Sequence, residues 1–244
     1  MSAAARISVV IPAMKVTPEL TSLIQELGRE DVFEILIIGP RQRIGFSGNK
    51  IRNLSAPLGR GPQIQAGLDA ARGDIIWIVH DDTKLPPNCS VQIRKLMANT
   101  ANSMGCFPLR FDRSGFCLSL YALLSRIESR FSTFGDQGFF FRRESVHDIP
   151  DLNDYPLLED VVIRRALRTH GKVKKTFLTV TTSGQRFDRC GPLRTQVNNL
   201  ATLWRFWRGE SPQKLYADYY AEPDGLEIGR AASDMAKPAI GSKL

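Results

Sequence analysis

The sequence predicts an α/β fold with a mostly parallel central sheet flanked by helices. Short, continuously apolar runs at Ile7–Ile11, Phe33–Ile38 and Ile75–Val79 read as strands buried on both faces. Between them lie segments whose apolar residues recur at helical spacing. Strand–helix–strand alternation over this length implies right-handed crossovers and parallel pairing.

Each element has a local reason. After the first strand, Thr17-Pro18-Glu19 reads as a helix start, with Thr as N-cap and Pro at the first helical position. Leu20, Leu23, Ile24 and Leu27 continue it and Gly28 ends it. Gly39-Pro40 breaks the second strand, and Asn49–Leu54 is a weaker third. Gly59-Arg60-Gly61-Pro62 is a turn opening a helix to about Arg72, before the strand at Ile75–Val79. The second half is less regular. Pro86-Pro87 leads into a helix with Val91, Leu96 and Met97. An extended segment at Phe107–Phe111 and a helix over Leu118–Phe131 follow. Gly138–Arg142 reads as a short aromatic strand, Leu158–Thr169 as a helix and Val173–Thr182 as one β-branched strand. An amphipathic C-terminal helix over Pro192–Arg208 places Leu193, Val197, Leu200 and Trp204 on one stripe. Without repeats or a low-complexity linker, one domain over 1–221 is expected, with a flexible tail at 222–244.

The composition, 43% hydrophobic and 24% charged, is ordinary for a globular chain and excludes a disordered, collagen-like or coiled-coil whole. A formal charge of +8 invites an anionic partner: nucleic acid, a phosphorylated small molecule or an acidic membrane face. The four cysteines are scattered, with no C-x-x-C pair, which argues against a zinc site or a disulfide framework. No apolar stretch approaches the roughly 18 residues of a membrane span. The expectation is a cytoplasmic chain, or one attached peripherally to the inner face of a membrane.

In parallel sheets, ligands bind beyond the carboxyl ends of the strands. His80-Asp81-Asp82-Thr83 follow the strand at Ile75–Val79. Two adjacent carboxylates there can seat Mg²⁺ or Mn²⁺, which take oxygen ligands and share them with substrate phosphates. The same pair also suits an Asx-type turn with solvated acids. Gly59-Arg60-Gly61-Pro62 offers a helix N-terminus to a phosphate, or is simply a tight turn. Glu159-Asp160 sits at a helix start, where a carboxylate can act as general base or merely complement the helix dipole. Gly135-Asp136-Gln137-Gly138 could line an acceptor pocket or form a hairpin. His147 and His170 read as surface residues.

Taken together and in order, the Ile-Ser-Val-Val-Ile-Pro start, the H-D-D-T segment, the G-D-Q-G-x-x-x-R-R loop and the L-x-E-D-V helix resemble the family 2 glycosyltransferases of GT-A fold. The stretch Pro57–Gly67, leading through Gly73-Asp74 to His80–Pro87, is most similar to the compact bacterial subgroup associated with radical-SAM/selenodomain (arsenosugar-type) gene neighbourhoods. The resemblance covers about residues 7–220. It implies transfer of a sugar, with inversion, from a nucleotide-diphosphate donor to a hydroxyl acceptor, with Mn²⁺ or Mg²⁺ as cofactor. Asp82, with Asp81, would hold the metal. Asp160, with Glu159, would deprotonate the acceptor. Pro12, Ala13, Gly59, Arg60, Gln63, Asp81 and Arg186 would meet the donor, and Gly135, Asp136, Gln137 and Gly138 would border the acceptor.

The chain departs from that pattern twice. Met14-Lys15-Val16 stands where relatives usually carry Asn-Glu, and Gly39-Pro40-Arg41-Gln42-Arg43 replaces an acidic turn that contacts the base. The competing reading is therefore a degenerate GT-A-like module with weak or no nucleotide binding, attached to a membrane surface. A nucleotidyltransferase would need a glycine-rich loop after the first strand, which Pro12-Ala13-Met14-Lys15 does not supply. A dense basic segment, Arg164 to Lys175, and the Arg/Trp-rich helix ending at Arg208 suit contact with an anionic membrane or a solvated helix face with buried tryptophans. No nucleic-acid motif is present, and none is expected as partner.

Overall fold

The computed structural model describes residues 4–40, 45–129, 132–184 and 191–221. The chain divides into two compact units, Met1–Gln185 and Arg186–Leu244. The expected single domain over 1–221 spans both. The expected tail, 222–244, lies outside the described residues.

The first unit opens as β1 (Ile7–Pro12), α1 (Pro18–Gly28), β2 (Glu34–Gly39), β3 (Ile51–Ser55), α2 (Arg60–Ala70) and β4 (Ile75–Ile78). Thr17 caps α1 as its sequence demands, its Oγ1 accepting the Leu20 N–H at 3.1 Å. Leu20, Leu23 and Leu27 are buried on one face of that helix. β1 pairs in parallel with both β2 and β4, and β2 with β3. Chain order therefore runs outward in both directions from β1, which makes the gap beyond the ends of β1 and β4 a topological switch point.

The remainder of this unit comprises α3 (Cys89–Met97), β5 (Asn102–Cys106), β6 (Leu109–Phe111), α4 (Phe116–Leu124), β7 (Phe140–Arg142), α5 (Glu159–Arg168), β8 (Lys172–Lys175) and β9 (Val180–Thr182). The main sheet has the order β3-β2-β1-β4-β7-β5-β8, with only β7 antiparallel to its neighbours, and β6 and β9 form a parallel two-stranded sheet. Trp77, Phe107 and Phe140 pack in the core, with ring centroids 5.7 and 5.5 Å apart.

Two tertiary hydrogen-bond centres fix this unit. Glu34 accepts from Ser8 Oγ (2.7 Å), Arg52 Nη1 (2.6 Å) and the Arg72 N–H (2.7 Å), tying together β1, β2, β3 and the approach to β4. Burial opposes its ionisation, but these bonds outweigh burial and hold its pKa below the usual glutamate value. Glu30 does the work of an absent N-cap on α3. Asn88 is left-handed (φ 68°) and makes no side-chain cap, while Glu30 accepts from the N–H groups of Cys89 (3.2 Å) and Ser90 (2.9 Å).

Several sequence expectations need correction. The run Val173–Thr182 is not one strand: its ends lie in different sheets as β8 and β9. β5 was missed because Asn-Ser-Met-Gly-Cys carries no β-branched or aromatic residue. Its Gly105 is required by packing, since a Cβ there would lie 2.2 Å from the Phe140 ring. α4 ends at Leu124 rather than near 131.

The second unit contains α6 (Pro192–Trp207) and α7 (Pro212–Ala221). Arg205 binds both Glu210 and Asp218, joining the two helices. Leu203 and Leu215 are buried, whereas Val197, Leu200 and Trp204 of the expected stripe are exposed. Trp207 is 43% exposed, so the reading with buried tryptophans does not hold. Among the described residues, no helix is long and apolar enough to cross a membrane.

Candidate active site at the carboxyl ends of the sheet

β1 ends at Pro12, and Ala13 continues the pairing through its N–H to Ile38 O at 2.8 Å. Gln63, from the first turn of α2, is buried and approaches the Ala13 carbonyl at 3.4 Å. Pro12, Ala13 and Gln63 thus lie together at the switch point. Met14, one of the departures from the family pattern, has its Sδ 4.0 Å from Gln63 Nε2.

The Gly-Arg-Gly entry into α2 is fixed by close packing. Gly59 has φ +128°, a conformation that strains any L residue. A Cβ on Gly61 would lie 2.1 Å from Tyr155 O and 2.3 Å from Leu152 O. The Leu152 N–H also donates to Gln65 Oε1 at 3.0 Å. The turn at 152–155 is thereby seated against the start of α2, and a few residues later the chain enters α5. Leu158, in the left-handed region at φ 65°, forces the sharp entry that presents Glu159 and Asp160 in the first turn. Arg60 lies between the two glycines and is exposed. Its positive charge is felt at His80, Asp81, Asp82, Glu159 and Asp160 alike.

The third component is the turn Gly135–Gln137. The Gly135 N–H donates to Asp160 Oδ2 at 2.7 Å, and Asp160 Oδ1 accepts from Val161 N–H at 2.8 Å. A Cβ on Gly135 would sit 3.0 Å from His80 Nε2 and 3.1 Å from Asp160 Cβ, so this glycine fills the space between the two acidic stations. Asp136 Oδ1 lies 4.0 Å from His80 Nε2. Burial first, then Arg60, pushes His80 down to about 4 against the pull of Asp136, so the imidazole is neutral near pH 7 and the contact is not an ion pair. Gln137 is fully buried, accepts from Lys175 Nζ and donates to Ser132 O at 2.5 Å.

The electrostatics follow from this crowding. Burial pushes Asp82 up to about 6, with Asp136 and Asp81 adding repulsion that Arg60 only partly offsets. Asp81 shifts upward too, again chiefly through burial. Glu159 is pushed up to about 8 by burial and then by Asp160, while burial raises Asp160 despite its two backbone donors. The Thr83 hydroxyl, next to the acid pair, is buried and makes no hydrogen bond. A cleft of about 270 Å³ opens from Asp82 towards the start of α1, lined also by Glu19, Lys84, Asp112 and Thr182.

A divalent cation suits this donor set. Asp81 and Asp82 are hard oxygen donors whose ionised forms are held at a cost that a cation removes, beside a hydroxyl lacking a partner. Among the described residues no group of three or more His, Cys, Asp or Glu could hold a metal, so the acid pair would depend on substrate oxygens to complete a coordination shell.

Sequence reasoning thus names Asp81, Asp82, Glu159, Asp160, Arg60, Gln63 and Gly135–Gly138, and the structure brings these together. Arg186 lies outside the described residues, as do Arg41 and Arg43. Two functional neighbours were missed. His80 was seen only as a motif letter, although its position before two acids marked it as equally close to the strand end. Lys175 was assigned to a basic surface segment. That segment is not uniformly solvated: Arg164 is buried, and both Arg164 and Arg168 bind Glu128.

No protein-family profile matches the chain, and no curated protein matches its sequence. Solved structures do resemble it. A mannosyltransferase from Pyrobaculum calidifontis, solved in complex with GDP-Man and Mn²⁺, superposes with a TM-score of 0.59 at 14% identity, covering 99% of this chain and 77% of that one. Mannosyl-3-phosphoglycerate synthase from Rubrobacter xylanophilus gives 0.54 at 16% identity over 84% and 75%. Glucosyl-3-phosphoglycerate synthase from Mycobacterium tuberculosis, with Mn²⁺, UDP and glucosyl-3-phosphoglycerate, gives 0.50 at 15% over 80% and 78%. The chain spans 65–78% of the length of such solved chains. These likenesses establish the GT-A fold.

Proposed function

We propose that this chain is a metal-dependent glycosyltransferase that moves a sugar from a nucleotide-diphosphate donor to a hydroxyl acceptor, with inversion. The observation that carries the reading is that Gly135 packs against both His80, which leads into Asp81/Asp82, and Asp160 of the Glu159/Asp160 pair, so that two acid pairs meet at the switch point of a GT-A fold. Neighbours of that fold solved with GDP-Man or UDP and Mn²⁺ support it. The narrower kinship with the radical-SAM/selenodomain-associated subgroup is supported by the sequence motifs alone.

In this reading Asp82 and Asp81 hold Mn²⁺ or Mg²⁺. An ion held there would supply positive charge to a departing diphosphate. The exposed Arg60 adds a second positive charge at the same place, and Pro12, Ala13, Gly59 and Gln63 border the donor. For Arg186, which lies outside the described residues, a phosphate contact rests on the sequence resemblance alone. Asp160 takes the acceptor hydroxyl proton as that oxygen bonds to the anomeric carbon and the bond from that carbon to the diphosphate breaks. Its two backbone donors keep the carboxylate oriented, and its raised pKa makes it a stronger base than a free aspartate. Glu159, pushed up to about 8, keeps its own proton near pH 7. Asp136 and the Gly135–Gly138 turn border the acceptor.

A thermal-shift panel of UDP-, GDP-, CDP- and dTDP-sugars, with and without Mn²⁺, tests this. One donor at about 100 times its Kd stabilises by about 2.7 kcal/mol with Mn²⁺, and Asp82→Ala removes the shift. If no nucleotide diphosphate stabilises the chain with any divalent ion, the degenerate-module reading replaces transfer.

A further inference from the structure

The most apolar helix of the first unit faces outward. α4 has the sequence Phe-Cys-Leu-Ser-Leu-Tyr-Ala-Leu-Leu. Leu118 and Ser125 turn inward, and Tyr121 packs on Phe111 with centroids 5.7 Å apart. That inner face needs no more than these residues. On the opposite side Phe116 is 84% exposed, Leu120 47%, Leu123 59% and Leu124 45%, and Ile127 in the turn that follows is 61% exposed. At about 100° per residue the four helical positions fall within an arc of about 100°, one continuous face. Such a stripe, without a polar residue among its members, is costly in water and marks a contact surface.

Its surroundings identify the partner. Along the helix and its flanks stand two exposed arginines, Arg126 and Arg113, the latter paired with Asp112 at 3.7 Å, and the helix itself carries no acid. Immediately beyond Ile127, a cleft of about 250 Å³ is lined by Glu128, Arg168, Lys172 and Lys174, three cations against one carboxylate. Glu128 is already committed: it accepts from Arg168 at 2.6 Å and also binds Arg164. Its pKa is held below the usual range, burial being outweighed by the two arginines. A second copy of this chain would bring the same cations against each other. A lipid bilayer with anionic headgroups satisfies both parts, acyl chains against the stripe and phosphates against the cationic rim.

We infer that the α4 stripe and the basic cleft beside it form a docking face for an anionic membrane surface. The face stands whether or not the chain transfers sugar. It is also tied to the candidate site: Ser132 Oγ donates to Ile127 O at 2.6 Å, and Ser132 O accepts from Gln137 of the acceptor-side turn.

The test is co-sedimentation of the full chain with phosphatidylcholine vesicles, with and without phosphatidylglycerol, at low salt and in about 0.5 M NaCl. Wild type is expected to pellet with the anionic vesicles at low salt, less so in high salt, and weakly with phosphatidylcholine alone. Leu120→Glu/Leu123→Glu should weaken partitioning by about tenfold or more, and Lys172→Gln/Lys174→Gln should remove most of the preference for anionic lipid. Both variants change exposed positions and should keep the wild-type melting temperature; should the first not, the wild-type arms decide alone. The proposal falls if wild type does not pellet with anionic vesicles, if its pelleting ignores lipid charge and salt, or if the leucine variant binds unchanged. It also falls if sedimentation velocity shows a dimer that the leucine variant dissociates, since the stripe is then covered by a second copy.

Discussion

Gly61→Ala is the substitution whose cost follows most directly from the structure. The new Cβ would lie 2.1 Å from Tyr155 O and 2.3 Å from Leu152 O, nearly an ångström inside the 3.0 Å limit that real Cβ contacts respect. Both obstacles are backbone carbonyls, so no side-chain rotation relieves them, and either α2 or the 152–155 turn must move. Forced overpacking costs about 1–3 kcal/mol, and two immovable obstacles place this case near 3 kcal/mol. For a chain of this size, about 2–4 °C per kcal/mol converts that to a fall of about 6–12 °C in Tm. Scanning calorimetry reads it, and urea denaturation should show a lower midpoint. Gly28→Ala is the internal control: nothing lies within 4 Å of its Cβ, and it closes α1. Replacing a helical glycine there should be neutral or stabilise by up to about 1 kcal/mol. A Gly61→Ala protein melting with the wild type would show that the 152–155 turn is not held against α2, and the placement of Glu159 and Asp160 beside Arg60 would lose its basis.

Asp160→Asn should lower turnover by about 10²–10⁴-fold while the Mn²⁺-dependent thermal shift with donor persists; loss of that shift would show that Asp160 serves donor binding instead. Glu159 has a folded pKa of about 8 against an ordinary value of 4.5, so the folded chain holds a proton that the unfolded chain releases between those values. Its contribution to stability is complete below about pH 4.5 and is lost as pH rises through about 8. Glu159→Gln should therefore flatten part of the fall in Tm between about pH 5 and 8 without metal; parallel curves for the two proteins would refute this. Asp81 and Asp82 act in the same direction, so some slope remains. Glu30→Ala removes the acceptor of the Cys89 and Ser90 N–H groups and should cost about 1–3 kcal/mol by urea denaturation, with an unchanged midpoint excluding the capping role.

What could be read from the sequence was what local chemistry determines. The buried parallel strands announce themselves as apolar runs, and Thr17-Pro18 sets a helix start that needs nothing beyond its own residues. The acids at the ends of β4 and at the start of α5 were visible because strand ends and helix starts are where such folds bind ligands. What failed to show depends on residues distant in the chain. β5 is a strand because neighbours on both sides and Phe140 above Gly105 make it one, not because its residues prefer it. The cap of α3 comes from Glu30, some 60 positions upstream. The stripe in α6 was read from helical spacing, yet spacing reports only which residues share a face, and here that face looks outward.

The Gly-Arg-Gly spacing at the start of α2 shows how a weak motif becomes specific. Alone, a G-x-G before a helix suits any tight turn. In the folded chain each glycine answers a separate demand, Gly59 for a φ of +128° and Gly61 for two carbonyls against its Cα. Between them stands one side chain, Arg60, and its charge reaches both acid pairs. Four carboxylates answered by one arginine leave an excess of negative charge, and burial raises their pKa values. A cation and a diphosphate arriving together would reverse that balance, the cation meeting the acids and the phosphates meeting Arg60. A +8 chain therefore carries an acidic hollow at its switch point, and the surplus of positive charge belongs elsewhere on the molecule, including the rim of the outward face of α4.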